Sequence, residues 1–259
     1  MARIIGIVNQ KGGVGKTTTA MNLGAYLAAF GKYVLLVDLD PQANATAGLG
    51  VHLDQEHTNV YHSLVADYPI EASLKKTRIF GFDLLPASAN LAGANVELVG
   101  IGQREFRLKN ALEKIRTNYD YILIDCPPSL GLLTVNGLAA AEHLLIPVQT
   151  EYYALEGLGQ LVNTIGLIRK SLNPNLDILG VLLTMYDKRN QLDRTVANNI
   201  RSNFPGYVFE TAIPRQVSLA EAPSFGRTVL QHDPDSKGAK AYRQLVQELL
   251  QVVSSKKIV

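Results

Sequence analysis

The residues with the most chemical content lie near the start of the chain, in Asn9-Gln10-Lys11-Gly12-Gly13-Val14-Gly15-Lys16-Thr17-Thr18-Thr19. Gly12, Gly13 and Gly15 let the backbone turn so that successive N–H groups point into one concavity, a cradle for phosphate oxygens. An apolar run, Ile4 to Val8, precedes the segment and an amphipathic pattern follows it, which is the strand–loop–helix context that such a cradle requires. The positive end of a helix opening near Lys16 adds a favourable field for an anion. In this arrangement Lys16 reaches β- and γ-phosphates, the Thr17 hydroxyl ligates Mg²⁺, and Thr18 donates to the α-phosphate. A Gly-Lys-rich turn at a strand–helix junction is the bland alternative. Strand, helix and two lysines together make a nucleotide site the much better reading.

Two more segments place carboxylates at the ends of apolar runs. Tyr33-Val34-Leu35-Leu36-Val37 leads into Asp38-Leu39-Asp40-Pro41-Gln42, and ligands of parallel sheets bind beyond such strand ends. A γ-phosphate held there needs a group that orients the attacking water. Taken alone, the two acids are solvated loop residues, since Asp-Pro often begins a turn; beside the glycine loop they belong to its site. Tyr121-Ile122-Leu123-Ile124-Asp125 has the shape of a Walker B strand, with Asp125 holding Mg²⁺ through a water. Cys126 follows at a half-buried strand end, as a packed thiol rather than a nucleophile. The chain contains no N-K-x-D guanine box, which favours adenine.

These residues need a scaffold, and the hydrophobic pattern supplies one. Ile4–Val8, Tyr33–Val37, Phe82–Leu85, Tyr121–Ile124, Leu144–Val148 and Ile178–Thr184 read as strands covered on both faces. Helical patterns alternate with them. Ala20, Leu23, Gly24, Leu27 and Ala28 form one apolar face, and Tyr242, Leu245, Val246, Leu249, Leu250 and Val253 form another. The alternation predicts an α/β fold with a doubly wound, mostly parallel sheet and helices on both faces. No linker, repeat or composition shift divides residues 1–259, which read as a single domain.

Composition sets limits. With 259 residues, 47% of them hydrophobic and 19% charged, the chain can bury a large core without staples. One cysteine permits no disulfide and no Cys-rich metal site, which suits a reducing cytoplasm. The apolar run after Met1-Ala2-Arg3 is too short for a signal peptide, and no stretch approaches a membrane span. A cytoplasmic protein is expected.

The glycine loop departs from G-x-x-x-x-G-K-[ST]: position 10 is Gln, and a second lysine, Lys11, opens the loop. This K-G-G-x-G-K-T-T arrangement is the deviant Walker A motif, and with it the sequence resembles the ParA/MinD family of ATPases. The resemblance covers nearly the whole chain, including residues 40–46 (D-P-Q-A-N-A-T), 151–157 and 219–226. The later segments resemble the chromosomal ParA (Soj) branch, which lacks an N-terminal DNA-binding extension; no helix-turn-helix fits before a loop beginning at residue 11.

The resemblance implies a P-loop ATPase that uses ATP and Mg²⁺ with weak intrinsic turnover. Its nucleotide contacts map onto Lys11, Gly12, Gly13, Val14, Gly15, Lys16, Thr17 and Thr18, with adenine near Met185, Pro214 and Arg215. Asp40 maps onto the water-orienting acid and Asp38 onto a helper; Lys11, Lys16 and Asp40 are the catalytic set, and Thr17 and Asp125 the metal set. It further implies an ATP-dependent homodimer in which Lys11 reaches the other subunit's phosphates and Gly12 lies at the close approach. A cation supplied in this way stabilises charge on the transferring phosphoryl group. The ATP dimer binds double-stranded DNA without sequence preference, associating with the nucleoid, and a ParB-type centromere-binding protein together with DNA stimulates hydrolysis. The outcome is chromosome or plasmid segregation.

Charge is unevenly distributed along the chain. Residues 1–150 carry 12 Lys+Arg against 13 Asp+Glu, and residues 151–259 carry 13 against 10. Lys188, Arg189 and Arg215 are the DNA-contact candidates in the basic part, and contacts of that kind make binding steeply salt-dependent. Ser218 stands where related sequences often carry an arginine, which implies either weaker DNA affinity or contact carried more by those three. Two other classes compete. A MinD-like membrane-associated positioning ATPase needs a bulky amphipathic anchor, and the tail after Val253 is Ser-Ser-Lys-Lys-Ile-Val, so no membrane is expected. An iron–sulfur relative needs two cluster cysteines, and a synthetase needs substrate-binding insertions that the sequence does not reveal.

Overall fold

The computed structural model describes residues 1–54 and 57–255. Its strands are β1 (Arg3–Ile7), β2 (Val34–Asp38), β3 (Lys75–Lys76), β4 (Phe82–Leu85), β5 (Tyr121–Asp125), β6 (His143–Gln149) and β7 (Asp177–Thr184). They form one sheet in the order β3-β4-β2-β5-β1-β6-β7. Every pairing is parallel except β3 with β4. The six strands read from the sequence are all present, shifted by no more than a residue or so at their ends. The two-residue antiparallel strand β3 is the addition.

Alternation within each strand explains why the runs look continuously apolar. Leu35 and Val37 of β2 enter one core, and Val34 and Leu36 enter the other. Ile122 and Ile124 of β5 divide from Tyr121 and Leu123 in the same way. Each face therefore needs its own helices. The helices are α1 (Lys16–Ala29), α2 (Asn44–Gly48), α3 (Val60–Val65), α4 (Ile70–Ser73), α5 (Leu91–Glu97), α6 (Arg107–Glu113), α7 (Leu132–Ala140), α8 (Ala154–Ser171), α9 (Gln191–Asn203), α10 (Val217–Glu221), α11 (Val229–His232) and α12 (Lys237–Ser255). The cores assign α3 and α5–α9 to one face, and α1, α2 and α10–α12 to the other.

Helix α1 is more deeply embedded than a one-faced helix. Residues 19–27 are all buried, because α12 packs over the side that the sheet leaves free. The Thr19 and Tyr242 hydroxyls are hydrogen-bonded across that contact at 3.2 Å. Against the sheet, α1 comes so close that a Cβ on Gly24 would lie 2.4 Å from the Phe82 ring. That packing holds the start of α1, and with it the glycine loop, rigidly over the carboxyl ends of β1 and β5.

Candidate nucleotide-binding site

The loop from Val8 to Gly15 joins β1 to α1 with two residues in left-handed backbone, Gly13 at φ 74° and Gly15 at φ 88°. Any side chain at these positions is strained, so glycine is required by conformation alone. Gly12 has no such constraint, and a Cβ built there meets nothing within 4 Å in this chain. The loop is tied from outside as well. Asn9 donates through its side chain to the Pro147 carbonyl at 2.7 Å, and the Thr184 hydroxyl donates to the Val14 carbonyl at 2.9 Å. Strands β6 and β7 thus hold the loop at both ends.

The two loop lysines differ in environment. Lys16 is 7% exposed, and its ammonium donates across the loop to the Lys11 carbonyl at 3.0 Å. Burial pushes its pKa down, with Asp125 and Asp40 among the charges that pull it back. Lys11 is exposed and pairs with Glu151 at 2.7 Å. Gln149, with its amide oriented to satisfy both neighbours, donates to Glu151 at 2.9 Å and accepts from Arg215 at 3.2 Å. A polar chain Lys11–Glu151–Gln149–Arg215 therefore runs along the rim of the loop. Neither Glu151 nor Gln149 was predicted as a site residue, because their link to Lys11 is long-range in sequence.

The acids are brought together by register. Asp38 and Asp125 are paired neighbours at the ends of β2 and β5, and both are buried. Asp38 is held by its own chain: one oxygen accepts from the Asp40 N–H at 3.2 Å, and the other from the Thr46 N–H at 2.9 Å and hydroxyl at 2.7 Å. Burial nevertheless pushes its carboxyl up to about 6. Neither carboxylate oxygen of Asp125 has a hydrogen-bond partner. Burial first, then the Asp38 charge, push Asp125 well above the usual carboxylate range. An orphaned buried acid between a lysine and a threonine hydroxyl fits a hard cation, and Mg²⁺ takes oxygen ligands of this kind. Asp40 is half-buried, with one oxygen accepting from the Gln42 N–H at 2.9 Å.

Cys126 is fully buried rather than half-buried, and the close approach of α7 explains the difference. A Cβ on Gly137 would lie 2.8 Å from its sulfur. Burial pushes the thiol pKa up, so it stays protonated and packed.

Beside the loop, a cavity of about 150 Å³ is lined by Thr18, Met185, Pro214, Arg215, Leu219 and Tyr242, among others. Met185 sits at φ 53°, and Tyr186 and Pro214 bridge in parallel, so the end of β7 and the segment at 213–215 close on one another. The sequence-predicted Met185, Pro214 and Arg215 meet here. The Leu219 and Tyr242 walls are additions from α10 and α12. Of the basic candidates, Lys188, Arg189 and Arg215 are all exposed. Arg189 is doubly bonded to Asp187, at 2.9 and 3.1 Å, and the arginine holds that carboxyl down at about 2. Ser218 is buried in α10 and presents no side chain to the surface.

Loop, paired acids and base-sized cavity define the class: a P-loop nucleoside triphosphatase of the deviant Walker A type. A family model described as an AAA domain matches residues 2–178. The chain is 54% identical over 249 residues to the sporulation initiation inhibitor protein Soj of Bacillus subtilis, covering 96% of this chain and 98% of that one. It is 50% identical over 250 residues to the chromosome partitioning protein ParA of Caulobacter vibrioides, covering 96% and 94%. Among solved structures it is similar, at TM-score 0.87 and 40% identity, to a Mycobacterium smegmatis protein described as cobyrinic acid a,c-diamide synthase with bound ADP and magnesium, covering 99% and 97%. This chain belongs to the ParA/MinD family of ATPases, in its chromosomal ParA (Soj) branch.

Proposed function

We infer that this chain is a ParA-type partition ATPase, in which ATP joins two copies into a dimer that holds DNA and hydrolysis releases it. The single observation carrying the reading is the pairing of a buried Lys16, whose ammonium crosses the glycine loop, with an exposed Lys11 on the same loop. One lysine serves its own nucleotide, and the other, on breaking its exposed pair with Glu151, serves a second copy. Residues 1–259 act as one unit in this scheme.

Each residue then has a task. Backbone N–H groups of residues 12–18 cradle the phosphates, and Lys16 exchanges the Lys11 carbonyl for phosphate oxygen. Thr17 and Asp125 would hold Mg²⁺, which would supply positive charge against the phosphates. Asp40, half-buried with a carboxylate held only by the Gln42 N–H among the described bonds, orients the attacking water. Asp38 positions Asp40 through the bond to its N–H. The apolar cavity at Met185 and Pro214 takes adenine, while Arg215 marks the nucleotide's edge. Lys11 leaves Glu151 and reaches the phosphates of the partner subunit, where its charge stabilises the transferring group.

DNA contact falls to Lys188, Arg189 and Arg215, with Arg189 needing to leave Asp187. The partner in the partition system is a ParB-type centromere-binding protein. The relatives at 50–53% identity that carry chromosome-partitioning names support this reading over a synthetase. A membrane-associated reading has less support. Among the described residues no helix is long and apolar enough to cross a membrane, and the tail residues 256–259 lie outside the described residues.

The test separates the two lysines. Lys16→Ala should abolish ATP binding by the monomer, whereas Lys11→Ala should retain it and lose ATP-dependent dimerisation, measured by nucleotide titration and light-scattering sizing. Tight ATP binding by Lys16→Ala, or normal dimers of Lys11→Ala, would contradict the assignment.

A further inference from the structure

A second cavity, of about 200 Å³, lies between α3 and α6, and none of its lining residues borders the adenine cavity or the glycine loop. One wall is Arg107, Asn110 and Ala111 of α6 with Lys114 at its C-terminal cap, and the spacing i, i+3, i+4, i+7 puts them on one side of the helix. The opposite wall is Ser63 of α3, Asp67 and Tyr68 of the turn that follows, and Ile70 at the start of α4.

Chemistry on these walls favours an anion. Arg107 is pinned in place: its Nε donates to the Leu64 carbonyl at 2.7 Å, and its terminal nitrogen meets the Asp67 carboxylate at 2.9 Å. The arginine side chain is 15% exposed and the aspartate 77%, so the cation is built into the wall while its partner sits in water. Ser63 is 3% exposed, and its hydroxyl has no hydrogen-bond partner. A buried hydroxyl left unpaired carries a desolvation cost that a bound acceptor would remove. Lys114 and the Asn110 amide add further donors, giving two cations against one carboxylate. The space is smaller than the ~300–1,000 Å³ of drug-sized pockets. It suits a single tetrahedral oxyanion with little attached.

We propose that the α3–α6 cavity is a second anion site, accepting a phosphate group on Arg107, Ser63 and Lys114 independently of the nucleotide. The phosphate competes with the exposed Asp67 for the guanidinium, and the fork geometry of arginine suits a phosphate. The group arrives either as inorganic phosphate or as the end of a small phosphate monoester.

The experiment uses the full chain saturated with Mg-ADP, so that the glycine loop is filled. Inorganic phosphate, glycerol 3-phosphate and chloride at matched ionic strength are titrated separately. The readout is the Arg107 Nε–H and Ser63 amide resonances in nitrogen-15 NMR. Saturable shifts with one or both phosphates, absent with chloride, are expected. Ser63→Ala and Lys114→Gln should each weaken the response by about tenfold while leaving ADP affinity unchanged. Because the Ser63 hydroxyl is unpartnered, Ser63→Ala should unfold no more easily than the parent; should it nonetheless fail to fold, the exposed Lys114→Gln still decides. Shifts no larger with phosphate than with chloride, or equal in parent and both variants, would overturn the proposal. Loss of ADP binding in the parent would count against the partition ATPase reading alone, since the variants still report on this cavity.

Discussion

Thr46 provides the sharpest test of how the acid pair is held. Its hydroxyl donates to Asp38 at 2.7 Å and accepts from the Ala87 N–H at 3.0 Å, and all three residues are buried. Thr46→Val keeps the shape and removes both bonds. A hydrogen bond to a charged group contributes about 1.5–3 kcal/mol, and an orphaned buried N–H costs about 1–3 kcal/mol. The expected loss is therefore about 3 kcal/mol or more at pH 8, read from urea unfolding of the ligand-free protein. The pH dependence gives a second signature. Asp38 has a folded pKa raised to about 6, so its proton is held more tightly in the folded chain than in the unfolded one. Its contribution is then full below the unfolded carboxylate value and declines as pH rises through about 6. At pH 5 the carboxyl is largely protonated, and Thr46→Val should cost clearly less than at pH 8. Thr46→Ser, which keeps the hydroxyl, should recover most of the loss. A cost below about 1 kcal/mol at pH 8, or one equal at the two pH values, would refute this account of Asp38.

Three further outcomes are expected. Asp40→Ala should lower ATP turnover by roughly 10²-fold while ATP-dependent dimers persist; unchanged phosphate release would remove Asp40 from the mechanism. Glu151→Gln should tighten dimerisation with a non-hydrolysable ATP analogue by about 2- to 30-fold, since two exposed ion pairs of up to about 1 kcal/mol each no longer need breaking. Weaker dimers by sedimentation would mean that Glu151 serves the interface instead. Gly24→Ala should destabilise the fold by about 1–3 kcal/mol through collision with Phe82, visible as a lowered midpoint in thermal unfolding, and an unchanged midpoint would show that the Phe82 ring gives way freely.

The strands were legible because both faces of the sheet are covered, which turns Val34 to Val37 or Tyr121 to Ile124 into unbroken apolar runs. Strand β3 was not, since Lys75 and Lys76 carry no hydrophobic signal, and the ion pair of Lys76 with Asp83 of β4 depends on the fold. The phosphate loop was legible because its requirements are local: left-handed turns at Gly13 and Gly15 and a helix starting at Lys16. Contacts between distant segments left no mark. Glu151 and Gln149 linking Lys11 to Arg215, and Tyr242 of α12 closing the base cavity, depend on where the sheet order places separate segments. Helix α1 shows the same limit. Its apolar face was apparent, but its burial on the far side comes from α12, more than 200 residues on.

Charge distribution makes the central claim measurable. With a net excess only in residues 151–259, one copy offers few phosphate contacts and two copies offer twice as many, so DNA retention should follow the nucleotide. The direct measurement is co-sedimentation with double-stranded DNA across a salt series, with ATP, with ADP and without nucleotide. Pelleting with ATP alone, falling steeply as salt rises, is the predicted result; pelleting that is indifferent to nucleotide, or absent at every salt concentration, would contradict it.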